Sequence, residues 1–360
     1  MLTRRVPAYR NALPFILLLT AACAKVPEVP KAETWSWEVD RSSLPDADLY
    51  AMHVATITGA RSFFVKGGGK GKMTGPVSSY LIDHPTEGLV LIDTAFGRAT
   101  AESRKSYPGA LQASMVGLEM GRPVVEQLPE GGFDPADVAH MVVTHLHMDH
   151  AGGIADFPGA ALWVDEREWK AASKSRLPGY KTGPYDNADP RFLDFEGTAP
   201  YGPFPGHVDM FGDGSLIVLP SPGHTAGSVM VLVNLPEASW LFTGDTTWVD
   251  DHYHGPTPKS WMARTVVEDD ADAAWEGTIR THHWAEAHPE LNVVPGHEPA
   301  TVERLNNWPL PENVGAVGGS LVNEASSAPD VHEVEVHGEG AHPVEEDGRP
   351  DAVGDVGQQP

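Results

Sequence analysis

Residues 144–153, Thr-His-Leu-His-Met-Asp-His-Ala-Gly-Gly, constrain the fold of this chain more than any other segment. They carry four potential metal ligands within six positions, namely His145, His147, Asp149 and His150. A buried imidazole or carboxylate must be paired, so four of them in one short segment need a shared partner. Neutral imidazole and carboxylate both bind zinc well, and the pattern therefore favours a divalent metal site over a solvated loop.

The segment before this motif explains the spacing of its ligands. Residues 138–143 are mostly apolar and β-branched, which predicts a buried strand. His145 and His147 are two positions apart, so at the end of that strand their side chains point to the same side. Asp149 and His150 follow where the chain must turn, which lets them face a second metal close to the first.

Three further segments each contribute one potential ligand near an apolar run. His224 lies in a turn rich in Gly and Pro, Asp245 ends the run Leu-Phe-Thr-Gly-Asp, and His297 ends the run Val-Val-Pro-Gly-His. A single histidine or aspartate of this kind is usually an ordinary turn residue. Their combination, in this order after the first motif, favours one shared site.

Taken together, these segments resemble the metallo-β-lactamase superfamily over roughly residues 50–305. The earlier run Leu-Val-Leu-Ile-Asp-Thr at residues 89–94 is similar to the family's strand that ends in an aspartate, here Asp93. The resemblance implies an α/β (α+β) fold of the αβ/βα sandwich type, with two mixed β-sheets packed face to face and flanked by helices. It indicates much less about the substrate, because the same fold hosts many chemistries.

The resemblance also implies a two-metal centre made of five histidines and two aspartates. These residues are His145, His147 and His224 for one metal, Asp149, His150 and His297 for the other, and Asp245 as the bridge. Asp93 would help to hold the ligand loop. The expected cofactors are two divalent cations, Zn²⁺ before Fe, Mn or Co, with Asp149 and Asp245 as the catalytic carboxylates.

The implied metal centre predicts a hydrolase. Two divalent cations lower the pKa of a bound water towards neutrality, and the resulting hydroxide would attack the carbonyl carbon of a lactone, ester, thioester or amide. The motifs look most like the N-acyl homoserine lactonase branch of the superfamily, which cleaves a lactone ring. Those lactonases carry a tyrosine three residues after the bridging aspartate. This chain has Trp248 there, and His252 or Tyr253 of the same loop are candidates to replace the phenol.

The same ligand set leaves other functions open. A β-lactamase, an arylesterase, a phosphotriesterase or a thioesterase could use it. A mononuclear iron sulfur dioxygenase would use only part of it, whereas His147 replaces the glutamate of diiron flavoprotein relatives and argues against that branch. A non-catalytic metal-binding lipoprotein is a further class, although a complete ligand set argues against a decayed site.

Composition and charge limit the kinds of partner that this chain can have. The 360 residues suffice for one large α/β domain with tails. The formal net charge of -25 argues against a nucleic-acid partner, because phosphate binding needs patches of Lys and Arg. A small-molecule substrate is therefore expected, and no pattern specifies an oligomeric state.

The N-terminus has the pattern of an export signal. Three arginines precede an apolar run at residues 12–20 that is too short to span a membrane, which predicts a secretory signal peptide over residues 1–22. Small residues then precede Cys23, the only cysteine, as in bacterial lipoproteins. A lipid on Cys23 would anchor the protein to a membrane on the periplasmic or cell-surface side, with ordinary secretion as the alternative.

The remaining segments complete the predicted domain map. Residues 23–47 are expected to be a linker, and residues 48–308 the metallo-β-lactamase-fold domain. Residues 309–360 contain eleven acidic residues and one basic residue, so we expect a disordered acidic tail. Helical spacing of apolar residues predicts a helix over residues 111–128. Residues 174–212, rich in Gly, Pro and aromatics, are expected to be an insertion over the site.

Overall fold

The computed structural model of the protein describes residues 34–103, 116–174, 179, 180, 183, 185, 188–305 and 308. The predicted signal peptide, Cys23 and the predicted acidic tail lie outside these ranges. Within them, no helix combines the length and the apolar character needed to cross a membrane.

The first sheet is mixed. Its strands are β1 (Asp48–Ala60), β2 (Lys72–His84), β3 (Gly88–Ile92), β4 (Val116–Met120), β5 (Val138–Val142), β6 (Ala161–Asp165) and β7 (Pro190–Leu193). They lie in the spatial order β4-β1-β2-β3-β5-β6-β7. The pairs β4–β1, β1–β2 and β2–β3 are antiparallel, whereas β3, β5, β6 and β7 run parallel.

The second sheet is also mixed. Its strands are β8 (Val208–Asp209), β9 (Leu216–Pro220), β10 (Val229–Asn234), β11 (Ser239–Phe242) and β12 (Leu291–Val294). They lie in the order β12-β11-β10-β9-β8, antiparallel except for the parallel pair β11–β12. The predicted arrangement of two mixed sheets is therefore confirmed.

The strands are connected by α-helices, which flank the two sheets. They are α1 (Arg61–Phe64), α2 (Arg98–Glu102), α3 (Val124–Gln127), α4 (Met148–Ala151), α5 (Glu166–Lys174), α6 (Asp251–His254), α7 (Trp261–Val266), α8 (Ala271–Ala287) and α9 (Pro299–Arg304). Helix α8 begins after Asp270, whose carboxylate accepts hydrogen bonds from Asp272 N and Ala273 N. It ends at the residue before His288, which precedes a proline and so disfavours further helix.

Alternate residues of β3 enter different apolar clusters. Val90 and Ile92 belong to the cluster between the sheets, which also contains Val231 of β10. Leu89 and Leu91 belong to a second cluster on the helical side of the first sheet. Because successive side chains of a strand point to opposite faces, both faces of β3 are buried, which explains its unbroken apolar run.

The predicted helix over residues 111–128 is wrong in its described part. Val116–Met120 is strand β4, paired with the edge of β1, and only the four residues of α3 are α-helical between residues 116 and 127. Val116, Leu118 and Met120 alternate with the exposed Gly117 and Glu119. Pairing with the free edge of β1 therefore prevailed over the apparent helical spacing.

The described part of the predicted linker packs on the second sheet. Trp37 is 8% exposed and lies edge-on to Trp284 of α8, with ring centres 5.2 Å apart. Arg41 donates to Ser239 Oγ over 3.0 Å and to Leu235 O over 2.6 Å. Residues 34–47 are thus held by a buried tryptophan and an arginine rather than acting as a free spacer.

The carboxyl ends of four strands lie at the edge where the candidate ligands are found. Strands β3 and β5 are parallel neighbours, as are β11 and β12, so the carboxyl ends of each pair meet. Asp93 follows β3, the His/Asp motif follows β5, Asp245 follows β11 and His297 follows β12. Val229 N donates to Thr144 O over 2.9 Å and joins the two sheets here. Ligand sites of α/β proteins commonly form at such strand ends.

Candidate metal centre

The structure brings all seven candidate ligands together in two groups. Within each group, one nitrogen or oxygen atom per residue lies within 4.8 Å of every other. The groups are His145, His147, His224 and Asp245, and Asp149, His150 and His297. This division is the one that the family resemblance implied, whereas the role of these residues as ligands stays a prediction.

Asp245 faces both groups with different oxygen atoms. Its Oδ2 lies 3.2 Å from His224 Nε2, while its Oδ1 lies 3.1 Å from His150 Nε2 and 3.3 Å from His297 Nε2. The side chain of Asp245 is only 6% exposed. A carboxylate in this position can bridge two cations.

Unsatisfied polar atoms show that the cluster fits cations. His145 Nε2 is buried and has no hydrogen-bond partner among the described residues. His150 Nε2 and Asp245 Oδ1 are also buried and, although only 3.1 Å apart, do not meet in hydrogen-bond geometry. Burying such atoms without a partner costs roughly 1–3 kcal/mol each. Imidazole nitrogen and carboxylate oxygen are the donor types that divalent zinc prefers, so the donor set suits such a metal.

Asp93 holds the loop after β5. Its Oδ1 accepts from Thr144 N over 2.7 Å, and its Oδ2 accepts from Thr144 Oγ1 over 2.9 Å and from His150 Nδ1 over 2.7 Å. Asp93 has φ 54°, in the left-handed region that aspartate adopts more readily than most residues. The bend turns its carboxylate onto the loop and directs His150 Nε2 into the cluster.

Other histidines are held at Nδ1 in the same way. His297 Nδ1 lies 2.9 Å from Pro76 O, and His145 Nδ1 lies 3.1 Å from Thr144 Oγ1. His147 is the exception, because its Nδ1 lies 3.1 Å from His224 Nε2 and so faces the cluster itself. Partners on the outer nitrogen fix both the tautomer and the ring orientation of a ligating histidine.

Glu168 of α5 ties two ligand loops together. Its Oε1 accepts from Leu146 N over 2.8 Å, and its Oε2 accepts from Gly227 N over 3.1 Å. Glu168 is fully buried, and burial raises the pKa of its carboxyl. A Cβ at Gly227 would lie 2.5 Å from the backbone of Glu168, so only glycine fits there.

Burial and neighbouring charges shift the pKa values of the clustered residues in opposite directions. Burial, together with the neighbouring imidazoles, holds the pKa of His145 and of His147 well below the usual range. Burial alone would lower the pKa of His150 and His297, but the neighbouring carboxylates together outweigh it and raise both, Asp245 with Asp93 at His150 and Asp245 with Asp149 at His297. Burial would likewise raise the pKa of Asp245, but the imidazoles around it hold that pKa well below its usual range.

The centre opens towards His147 and Asp149. The other five candidate ligands are at most 6% exposed. The side chain of Asp149 is 25% exposed. Tyr180, at the start of the predicted insertion, packs on His147 with ring centres 4.9 Å apart. A substrate would therefore approach past these residues.

Trp248 forms an aromatic wall beside the centre. It is 4% exposed, stacks on Phe63 at 6.0 Å, and its ring centre lies 6.3 Å from that of His224. His252 accepts from Trp248 N over 3.0 Å through Nδ1, and its Nε2 lies 3.3 Å from Phe64 O. Burial and the nearby Lys259 lower the pKa of His252 to about 3. Both ring nitrogens of His252 thus contact the backbone next to the wall, at Trp248 and at Phe64.

Tyr253 belongs to a different part of the core. It lies in the apolar cluster that contains Trp284, Leu241 and Val293, on the α8 side of the second sheet. Neither Tyr253 nor His252 is therefore placed by its contacts to present a polar group to the two ligand groups. The structure puts the indole of Trp248 there instead.

Sequence reasoning missed four residues that surround the centre: Tyr180, Glu168, Lys259 and Glu268. Glu168 lies near the start of a helix, where an acidic residue is expected for the helix dipole alone. Lys259 and Glu268 belong to no recognisable motif. Only the aromatic and glycine content of residues 174–212 pointed towards Tyr180.

The structure also contains a cleft of about 600 Å³. It is lined by the junction of β6 and α5, by part of α8 and by Ser221. Its two arginines are paired, Arg167 with Asp165 and Arg280 with Glu276. None of its lining residues belongs to either ligand group.

Comparison with a family model gives a match over residues 73–297, described as the metallo-beta-lactamase superfamily. All seven candidate ligands lie within these bounds. The matched stretch covers more than half of the chain.

Curated relatives include N-acyl homoserine lactonases. The chain is 32% identical to the lactonase AttM of Rhizobium johnstonii over 243 residues, covering 65% of this chain and 86% of that protein. It is 30% identical to AttM of Agrobacterium fabrum over 232 residues, covering 62% and 82%. A probable metallo-hydrolase of Mycobacterium tuberculosis is 32% identical over 185 residues, covering 46% and 55%.

Solved structures share the fold. A variant of AiiA from B. thuringiensis with N-decanoyl-L-homoserine bound at its active site has a TM-score of 0.59 and 19% identity, covering 72% of this chain and 96% of that one. An N-acyl homoserine lactone hydrolase with N-hexanoyl-L-homoserine bound at its catalytic metal centre gives the same values. At this identity the likeness concerns the fold, and it agrees with the predicted αβ/βα sandwich.

Proposed function

The chain belongs to the metallo-beta-lactamase superfamily and is a metal-dependent hydrolase, and on that premise we propose that it opens the ring of N-acyl homoserine lactones. The observation that carries the proposal is the position of Asp245, with one oxygen towards each group of candidate ligands. The identity of 30–32% to AttM lactonases supports a lactone over other carbonyl substrates.

The proposed metal centre uses the whole donor set. His145, His147 and His224 would hold one cation, Asp149, His150 and His297 the other, and Asp245 would lie between them. We expect Zn²⁺, with Fe, Mn or Co as alternatives, because imidazole and carboxylate suit all four. When bound, the cations supply a water that is activated near neutral pH and polarise the substrate carbonyl.

Asp245 and Asp149 have separate tasks in this mechanism. The surrounding imidazoles hold the pKa of Asp245 low after outweighing burial, so its carboxylate can accept a hydrogen bond from the attacking water and orient it. Asp149 Oδ2 lies 3.7 Å from His297 Nε2 on the open side, where a leaving group can reach it. It would take the proton of the water and pass it to the ring oxygen.

The reaction balances without a side-chain nucleophile. The water oxygen bonds to the lactone carbonyl carbon, and the bond between that carbon and the ring oxygen breaks. One proton of the water ends on the ring oxygen as a hydroxyl group, and the other is released as the new acid ionises. Trp248 and Phe63 would form an apolar wall beside the bound substrate.

Export remains a separate proposal that rests on the sequence alone. We propose that residues 1–22 are removed and that a lipid on Cys23 anchors the protein to a membrane on the periplasmic or cell-surface side. Labelling cells with a palmitate analogue tests this, with Cys23→Ser as the control. Label on the wild type alone supports the anchor, whereas soluble, unlabelled wild-type protein outside the cytoplasm supports ordinary secretion.

A substrate panel tests the proposed activity. The metal-loaded protein is assayed with N-acyl homoserine lactones of several chain lengths, aryl esters, phosphotriesters, thioesters and β-lactams. We expect the largest kcat/KM for a lactone. Faster turnover of another class would replace the lactone assignment and keep the hydrolase. Binding of one iron per chain with consumption of oxygen would instead indicate a mononuclear sulfur dioxygenase.

A further inference from the structure

The ammonium group of Lys259 is a buried positive charge next to the proposed metal centre, and the proposed mechanism gives it no role. Lys259 is 6% exposed, and its ammonium contacts three different groups. It donates to the backbone oxygen of Asp245 and, over 2.5 Å, to Oε1 of Glu268. It also lies 4.3 Å from the centre of the Trp248 ring, within range of a cation–π interaction.

Glu268 extends these contacts to a candidate ligand. Its Oε1, the atom that accepts from Lys259, also lies 3.4 Å from Nδ1 of His224. The side chains of His224 and Glu268 are 0% and 1% exposed. A carboxylate on the outer nitrogen of a ligating imidazole fixes the orientation of the ring and increases its basicity.

The backbone holds the segment of Glu268 against the loop of His224. Asp269 N donates to His224 O over 3.1 Å, and Asp270 N donates to Gly223 O over 2.9 Å. Gly223 has φ 139°, and a Cβ there would lie 2.1 Å from a backbone nitrogen of α8. Only glycine therefore permits this approach, which sets the distance between Glu268 and His224.

The pair of charges is costly to bury, so its retention needs a reason other than stability. Removing two charges from water costs several kcal/mol per ion, and apolar replacements are often as stable. Lys259 lies 2.5 Å from Glu268 Oε1, and that same oxygen is the one that faces Nδ1 of His224. The ion pair therefore holds the carboxylate against the outer nitrogen of His224.

We propose that Lys259 and Glu268 are positioning residues that act as one unit, with Lys259 fixing the carboxylate of Glu268 and Glu268 orienting His224 for its metal. This inference rests on the proposed metal centre. Neither residue touches the reacting atoms, and their effect on catalysis passes through His224 and through the Trp248 wall.

Three full-length variants test the unit: Glu268→Gln, Lys259→Met and the double variant. Glu276→Gln is the matched control, because it makes the same change at a glutamate of α8 that is 42% exposed and paired with Arg280. Zn²⁺ affinity is measured by competition with a chromogenic chelator. We expect binding at one of the two metal positions to weaken about 10–100-fold in Glu268→Gln, and binding at the other to stay unchanged.

The double variant tests whether the two residues act together. If they form one unit, its metal affinity equals that of Glu268→Gln alone, because the effects of coupled residues do not add. The visible absorption of Co²⁺ bound in place of Zn²⁺ should change at the weakened position only. If Lys259→Met does not fold, the comparison of Glu268→Gln with Glu276→Gln decides alone.

The possible failures are distinguishable. Wild-type protein that binds no metal overturns the proposed centre and this inference together. Wild-type protein that binds two metals, with Glu268→Gln binding both as tightly as Glu276→Gln, overturns only the positioning role. A Glu268→Gln variant that melts at a lower temperature without metal, yet keeps full affinity, shows a purely structural role and likewise overturns it.

Discussion

Oδ2 of Asp93 lies 2.7 Å from Nδ1 of His150, and both side chains are only 5% exposed. The other oxygen of Asp93 accepts from the backbone of Thr144, at the start of the ligand loop. One carboxylate at the end of β3 therefore sets both the path of the loop and the direction of a ligand ring. The site depends on this contact before any metal is bound.

Asp93→Asn should weaken both the fold and the metal centre. An amide group in place of the carboxylate points N–H donors at Thr144 N–H or at His150 Nδ1–H, so one buried donor loses its acceptor. We expect a loss of roughly 1–3 kcal/mol in the free energy of unfolding and about 10–100-fold weaker metal binding. Urea unfolding and metal titration measure the two effects. The exposed Asp189→Asn is the control, and equal behaviour of both variants would contradict the role of Asp93.

Glu168→Gln should disturb the loops of His145 and His224 together. Glu168 accepts from a backbone N–H of each loop, and glutamine can accept only one of these bonds. We expect roughly 1–3 kcal/mol of destabilisation, measured by urea unfolding. Glu166→Gln changes an exposed residue paired with Lys170 on the same helix, so it should cost less than about 1 kcal/mol. Equal losses in the two variants would argue against the tie between the loops.

Asp149→Ala should remove one metal and leave the fold intact. Its side chain is 25% exposed, so truncation creates no deep cavity. We expect one metal per chain instead of two, and a fall in kcat of at least about 100-fold, the size usual for loss of a positioned acid or base. Elemental analysis and steady-state kinetics are the measurements. Full activity with one metal would mean that the two-metal mechanism is wrong.

Removal of the metals should lower the melting temperature reversibly. A ligand that binds only the folded state stabilises it by about 2.7 kcal/mol at a concentration of one hundred times its Kd. A chelator should therefore lower both melting temperature and activity, and Zn²⁺ should restore both. Mg²⁺ serves as the control, because it prefers oxygen ligands and should restore neither. An unchanged melting curve after complete chelation would contradict a metal centre built from these residues.

The candidate ligands could be predicted because their signals are local. His145, His147 and Asp149 lie within one short loop after an apolar strand, and the strand period explains which side chains share a side. His224 and His297 became informative only in combination with that loop. The two sheets followed from the family resemblance rather than from residue patterns, and the helix predicted over residues 111–128 shows how edge pairing overrides local spacing.

The residues that orient the ligands could not be predicted, because they act across the fold. Glu168 looks like an ordinary acidic residue at a helix start, yet it reaches two loops that are distant in sequence. Lys259 and Glu268 flank α7 and meet only because that helix brings its ends towards Asp245 and His224. The partners of His252 and Tyr253 also depend on packing, so the sequence could not show that His252 contacts the backbone of Trp248 and Phe64 and that Tyr253 lies in the core beside Trp284.

Asp245 and His297 extend from the second sheet, whereas His145 to His150 extend from the first. A chain whose sheets have not yet docked thus holds only part of the donor set of either cation. Both cations can therefore be fully bound only once the two sheets have docked, so we expect metal to have little influence on the rate of folding. We expect bound metal to slow unfolding instead, because the two sheets cannot separate without releasing a metal ligand. Bound metal should therefore lengthen the lifetime of each folded molecule, a kinetic form of stability that a chain with a single cysteine cannot obtain from an internal disulfide.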